Sequence, residues 1–118
     1  MRTLQKNLVG VVITTANGKI DALNARFSAM VGSRATLGID LCALRPAEDR
    51  ERLLAIKSQL ASDNFSGALS HCIWRGETRL IAKNGAVVQV AEAIHALRGA
   101  DGGIARFVHF LQDTRCTG

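Results

Sequence analysis

Glu92 and His109 are the two side chains whose types and positions could do chemistry together. Glu92 interrupts an alternating apolar series, Val88, Val90, Ile94 and Ala96, and His109 falls in a second one with Ala105, Phe107 and Leu111. Successive side chains of a strand point to opposite faces, so both groups belong to faces that are otherwise apolar and inward. A carboxylate beside an imidazole can move a proton, or it can anchor a polar small molecule inside an apolar pocket; either group is costly to bury without a partner. Pairing Leu97 with Ile104 across the intervening six-residue loop sets Glu92 directly opposite His109. A satisfied Glu–His hydrogen bond, or a bulge that turns one side chain out to water, is the plainer reading of the same pattern.

Other candidates follow from strand parity. Along Ser66 to Ala82 the even positions point inward, which adds Cys72, Trp74 and Thr78 to Glu92, His109 and Phe107 as residues that could line a pocket. Trp74 reads first as a core aromatic. No nucleophile elbow, zinc-binding helix motif, phosphate loop or Cys–His spacing accompanies these residues, so an enzyme is not expected. The three cysteines, Cys42, Cys72 and Cys116, are odd in number and lack metal-ligand spacing, which points to reduced thiols and no metal site.

The net charge of +5 comes from 15 scattered Lys and Arg residues, with one Trp and no Tyr, and no nucleic-acid partner is expected. No apolar run approaches the roughly 20 residues of a membrane span, and Met1 to Lys6 lacks the apolar core of a signal peptide, so a cytoplasmic location is expected and no membrane contact.

The elements that must position the pair are legible in the same way. A chain of 118 residues is expected to form a single domain, residues 1–118, with a core from about 8 to 114 and short tails. Leu4 to Leu8 could form one helical turn. Val9 to Thr15 is a nearly continuous apolar run, which predicts a strand covered on both faces. Asn17-Gly18 supplies a turn and Ile20 to Leu23 a second strand, after which Asn24 predicts a helix cap and Gly32 the stop of a short helix. Pro46 predicts the first position of a longer helix running to about Ser62, with Leu53, Ile56 and Leu60 on its apolar stripe and Leu54 and Ala61 beside it. From Ser66 onward the pattern is strand-like, broken at Lys83-Asn84-Gly85 and at Arg98 to Gly103, which predicts three strands in two hairpins. The five strands can bury their apolar faces only together, as one antiparallel sheet with helices on one face: an α+β fold, with profilin-like arrangements also allowed by pattern alone.

The order of these pieces resembles the PAS domain, a sensory and signalling module. The resemblance rests on Ile20 to Phe27 after Asn17-Gly18-Lys19, on Glu77 to Gly85, and on Gln112-Asp113-Thr114, which is similar to the Asp-Ile-Thr ending at which PAS domains lead into a connecting helix. It implies a PAS-like five-stranded sheet and a small-molecule ligand in an internal pocket. It also implies a homodimer joined through Leu4 to Leu8 and the outer sheet face, controlling an attached effector such as a histidine kinase or a cyclic-dinucleotide enzyme. The alternative is a ligand-free dimerisation module, favoured by Val87, Ala91, Ala93 and Leu97 on the outer face.

The same resemblance argues against the two familiar coloured cofactors. Leu41 stands where flavin-binding light-oxygen-voltage domains carry their reactive Cys, with Cys42 one place later, and Leu80, Val90 and Leu111 match the positions of their flavin-binding amides. Ala47 to Ser62 contains no His, as a haem ligand on the long helix would require, which leaves His109 as the one candidate. Neither flavin nor haem is therefore expected.

Overall fold

The computed structural model describes residues 9–62 and 73–114. Five strands, β1 (Val9–Thr15), β2 (Ile20–Leu23), β3 (Ile73–Ile81), β4 (Val87–Arg98) and β5 (Ile104–Asp113), form one antiparallel sheet in the order β2-β1-β5-β4-β3. Helices α1 (Ala25–Val31) and α2 (Arg50–Ser62), with 3-10 turns at Gly32–Arg34, Leu41–Leu44 and Ala47–Asp49, lie between β2 and β3 in the chain. Among the described residues no helix is long and apolar enough to cross a membrane.

Most element boundaries follow from local chemistry. Asn24 holds three backbone groups at the entrance to α1: its Oδ1 accepts from the N–H groups of Phe27 (3.0 Å) and Val11 (2.9 Å), and its amide donates to the Val9 carbonyl (3.1 Å). Gly32 ends the helix at a φ of 75°, a conformation that favours glycine. Pro46 takes an extended ψ of 141° and precedes the Ala47–Asp49 turn, so the helical path begins one residue later than expected and tightens into 3-10 geometry before α2.

β1 corrects a second expectation. Gly10, Val12 and Thr14 are buried, whereas Val9, Val11, Ile13 and Thr15 remain partly exposed, so one face of the strand is covered fully and the other only in part. Apolar side chains on both faces reflect a half-covered outer surface here, rather than a second layer over it.

The β3–β4 hairpin has the expected three-residue loop, with Gly85 at a φ of 88° and Thr78 opposite Val90. The β4–β5 hairpin does not have the expected register. Arg98 pairs with Ile104 and Leu97 with Arg106, which leaves Ala105 as an extra residue in a bulge. Ala105 is exposed rather than inward, and every later pair shifts by two: Glu92 lies opposite Leu111, and His109 opposite Ile94. A shift of two preserves parity, so both polar side chains still face inward.

The interior divides into two apolar clusters. One joins α1 to the sheet through Phe27, Val31, Leu80, Val88, Val90 and Leu111; the other joins α2 to it through Leu53, Leu60, Ile94, Ala96 and Phe107. Three inward polar residues, Thr78 on β3, Glu92 on β4 and His109 on β5, mark the boundary.

Candidate functional site

Thr78, Glu92 and His109 form a diagonal line across the sheet. Glu92 is flanked by its direct opposites Gly76 and Leu111, and its carboxylate reaches past them to the diagonal neighbours Thr78 and His109. Diagonal positions on a sheet lie within reach of long side chains, which is why a two-residue error in register still leaves the pair in contact. Oε1 accepts from the Thr78 hydroxyl, and Oε2 lies 2.7 Å from His109 Nδ1. Glu92 and His109 are 3% and 1% exposed.

Arg45 completes the row, and the sequence pattern missed it. It follows the Leu41–Leu44 turn and precedes Pro46, which restricts it to extended backbone (φ −122°, ψ 157°). The turn itself is capped by Asp40, whose Oδ1 accepts from the Cys42 N–H at 2.9 Å. From there Arg45 runs inward, 1% exposed, donating from Nη2 to Glu92 Oε2 at 2.8 Å and from Nη1 to the Arg79 carbonyl at 3.2 Å. An inward carboxylate demands a cation or a proton, and the residue before a proline in a helical connection was the available signal.

Burial works to raise the Glu92 pKa, but the Arg45 charge and the His109 hydrogen bond outweigh it and bring the value down to about 2. Burial depresses the His109 pKa, against the raising influence of Glu92 and with help from the charges of Arg45 and Lys57. A neutral imidazole next to an ionised carboxylate must donate from Nδ1, so Nε2 carries a lone pair. That nitrogen is buried and has no hydrogen-bond partner among the described residues.

The remaining candidates fall around this row. Phe107 is buried in the α2-side cluster, and Trp74 packs partly buried against the same cluster, its ring over Gly76 and under the Arg52 guanidinium at 5.6 Å. Gly76 is required there because a Cβ would meet the indole at 2.5 Å. Cys72, and the Leu4 to Leu8 segment, lie outside the described residues. Leu80, Val90 and Leu111, the positions that match flavin-binding amides, are all core residues at 0–1% exposure.

Sequence reasoning also missed Lys57, which sits on the inward side of α2 between Leu53 and Leu60. The α2 stripe is correspondingly narrower than expected, for Leu54 is 58% exposed and Ala61 is exposed too.

The sequence matches no protein-family model and no curated protein. Solved structures match its shape. The PAS domain of a protein from Colwellia psychrerythraea superposes with a TM-score of 0.75 at 17% identity, covering 92% of this chain and 87% of that one. A domain of a sensory box sensor histidine kinase/response regulator from Geobacter sulfurreducens gives a TM-score of 0.65 at 19% identity over 91% and 84% of the two chains. Cycle PAS-B of Drosophila melanogaster, with bound ethylene glycol, gives 0.68 at 14% identity over 88% and 98%. At such identities the likeness is one of fold, and the chain has the PAS fold that its motif order implied.

Proposed function

We propose that this PAS-fold chain is a sensory or regulatory module that binds a small molecule at the buried polar row and passes its state to an attached effector. The observation that carries this reading is the bare Nε2 of His109, a buried acceptor held beside a fully committed carboxylate. A ligand that donates a hydrogen bond satisfies it at no cost to the Arg45–Glu92 pair, and the inward-facing Thr78 and Trp74 are further candidates for contact with it. A binding role suits the row better than catalysis, because both Glu92 oxygens are already occupied by Arg45, Thr78 and His109. The sensor histidine kinase/response regulator among the structural neighbours favours a signalling effector of that class.

Native mass spectrometry of gently purified protein, with an absorption spectrum, tests the proposal. A copurified small molecule that is lost on His109→Leu supports it. A protein of bare polypeptide mass, whose imidazole nitrogen shifts do not respond to a metabolite extract, removes it.

A second reading is a dimerisation module, favoured by the outer sheet face. Val87 and Leu97 are 52% and 46% exposed, and a groove of about 470 Å³ runs past Arg75, Ala91, Ala93 and Phe110. Ala93 lies between Arg75 and Phe110 on that face. Ala93→Arg should turn a dimer into a folded monomer by light scattering; a wild-type monomer at high micromolar concentration would dispose of this reading.

A further inference from the structure

Lys57 lies outside the polar row and is not hydrogen-bonded to it, although its charge helps to depress the His109 pKa. Its side chain comes off the inward face of α2, the residue is 9% exposed, and its Nζ stands 5.3 Å from the centroid of the Phe107 ring. Among the described residues it makes no ion pair and no hydrogen bond. An ammonium has three donors and a full charge, and the face of one aromatic ring compensates only part of what burial removes. Burial accordingly draws the Lys57 pKa below the usual lysine value.

The unpaired ammonium borders a groove of about 610 Å³ between α2, the β1–β2 turn and the start of β5. The turn comes close: a Cβ on Gly18 would lie 3.2 Å from Nζ and 3.3 Å from Asp40 Oδ1, whose charge works to raise the Lys57 pKa without forming an ion pair with it. Leu54, Ile104 and Phe107 give the groove an apolar wall, and Asn17 and Ser58 offer donors at its rim. Arg98, also on the rim, donates to the carbonyls of Gly102 and Ala61 and adds positive potential. Among the described residues no Asp or Glu lines it. A smaller groove on the other side of Lys57, about 300 Å³, includes Asp40 and so lacks this one-signed character.

We infer that the groove beside α2 binds a small apolar carboxylate, the headgroup pairing with Lys57 and the hydrophobic body lying against Leu54 and Ile104. Charge complementarity decides the headgroup. A buried cation without an anion gains both a counter-charge and acceptors from a carboxylate, while an uncharged amide supplies an acceptor only. The apolar wall decides the body, since a hydrophilic anion would leave that surface wet. This site is separate from the His109 row, and either proposal can fail alone.

Phenylacetate and phenylacetamide are the probes, titrated by calorimetry and by amide chemical shifts. Phenylacetate should bind with shifts centred on Lys57, Phe107 and the Asn17–Gly18 turn, and phenylacetamide should bind roughly tenfold more weakly or not at all. Lys57→Met, which keeps the volume and removes the charge, should weaken phenylacetate binding by roughly tenfold or more while circular dichroism stays unchanged. Leu54→Glu, at an exposed position that folding does not depend on, should do the same by placing a competing carboxylate at the rim. Thr78→Val, in the polar row, should leave binding unaltered. Equal affinity for acid and amide, full affinity in Lys57→Met, loss of binding in Thr78→Val alone, or no saturable binding of phenylacetate would each overturn the inference.

Discussion

The two apolar clusters share the same three strands, β3, β4 and β5, yet they are held in opposite ways. On the α1 side the helix is fastened from within: Asn24 ties its first turn to β1 at two backbone groups, and Gly10 lets the helix come so near that a Cβ there would lie 3.2 Å from both the Phe27 Cα and the Met30 sulfur. On the α2 side the fastening is peripheral. Arg52 donates to the Glu77 carbonyl, Arg79 pairs with Glu48 and Asp49, and Arg98 donates to the Ala61 carbonyl. Inside that rim sits the unpaired Lys57. Both halves leave a groove, about 280 Å³ beside α1 and about 610 Å³ beside α2, but the larger one is bordered by the buried Lys57 ammonium, so binding chemistry is expected on the α2 side.

The polar row joins the halves, and cutting it should have the largest effect. Glu92→Leu leaves the Arg45 guanidinium buried without an anion, and Arg45→Met leaves the carboxylate; each should cost about 3–5 kcal/mol. The double substitution should recover most of that loss, because two apolar side chains replace a matched pair. His109→Leu should cost less than either, as a neutral imidazole strands no charge when removed. Thermal melts of the four-member cycle check this. Additive losses for Arg45 and Glu92 would show that the guanidinium finds another partner.

The row should also set the response to acid. Glu92 has a folded pKa of about 2 against an ordinary 4.5. A depressed carboxylate contributes its full stability above the unfolded pKa and loses it as pH falls through the folded one. The decline from this group therefore begins near pH 4.5 and runs towards about 2. His109, depressed below 6.5, acts in the same direction at higher pH: the unfolded chain takes up the proton first, and stability falls as pH drops below 6.5. Urea midpoints between about pH 4 and 8 should fall on acidification, with the upper part of the decline absent in His109→Leu. A wild-type midpoint that rises below pH 6.5 would contradict the neutral state assigned to this imidazole.

Intermediate effects belong to the α1 side. Gly10→Ala requires α1 to give way by a few tenths of an ångström and should cost roughly 1–3 kcal/mol, the range for overpacking a close contact. Asn24→Ala removes a cap together with two bonds to β1 and should cost about 1–2 kcal/mol. If either change is neutral in denaturant melts, the α1 side is not the rigid half that the contrast requires.

What the sequence made legible and what it hid follow the same physical division. The β1–β2 and β3–β4 hairpins and most inward faces were readable, because a period of two and the turns at Asn17-Gly18 and Lys83-Asn84-Gly85 depend on neighbouring residues alone; the strand expected from Ser66 to Cys72 lies outside the described residues. The β4–β5 register was not, since the bulge at Ala105 adds a residue without any local signature. Glu92 and His109 stood out as polar residues in apolar series. Arg45 and Lys57 did not, because an isolated basic residue in a connection or on a helix ordinarily reaches water. Two signals were nonetheless present. Lys57 falls four residues after Leu53 and three before Leu60, on the stripe itself, and Glu92 needed a counter-charge that only a basic residue could supply.

The smallest expected effect tests the peripheral fastening of α2. Arg98 holds the last turn of the helix through the Ala61 carbonyl and holds its own loop through Gly102, and both contacts are at an exposed rim. Arg98→Ala should therefore cost about 1 kcal/mol of global stability, because the exposed carbonyls it leaves behind can turn to water. Its local effect should be larger than its global one. Hydrogen exchange should speed up in α2 while amides of α1 keep their protection, since nothing in the Asn24 network passes through this residue. Equal acceleration in both helices would mean that the two halves open as one unit, and the division of the interior would then be chemical without being mechanical.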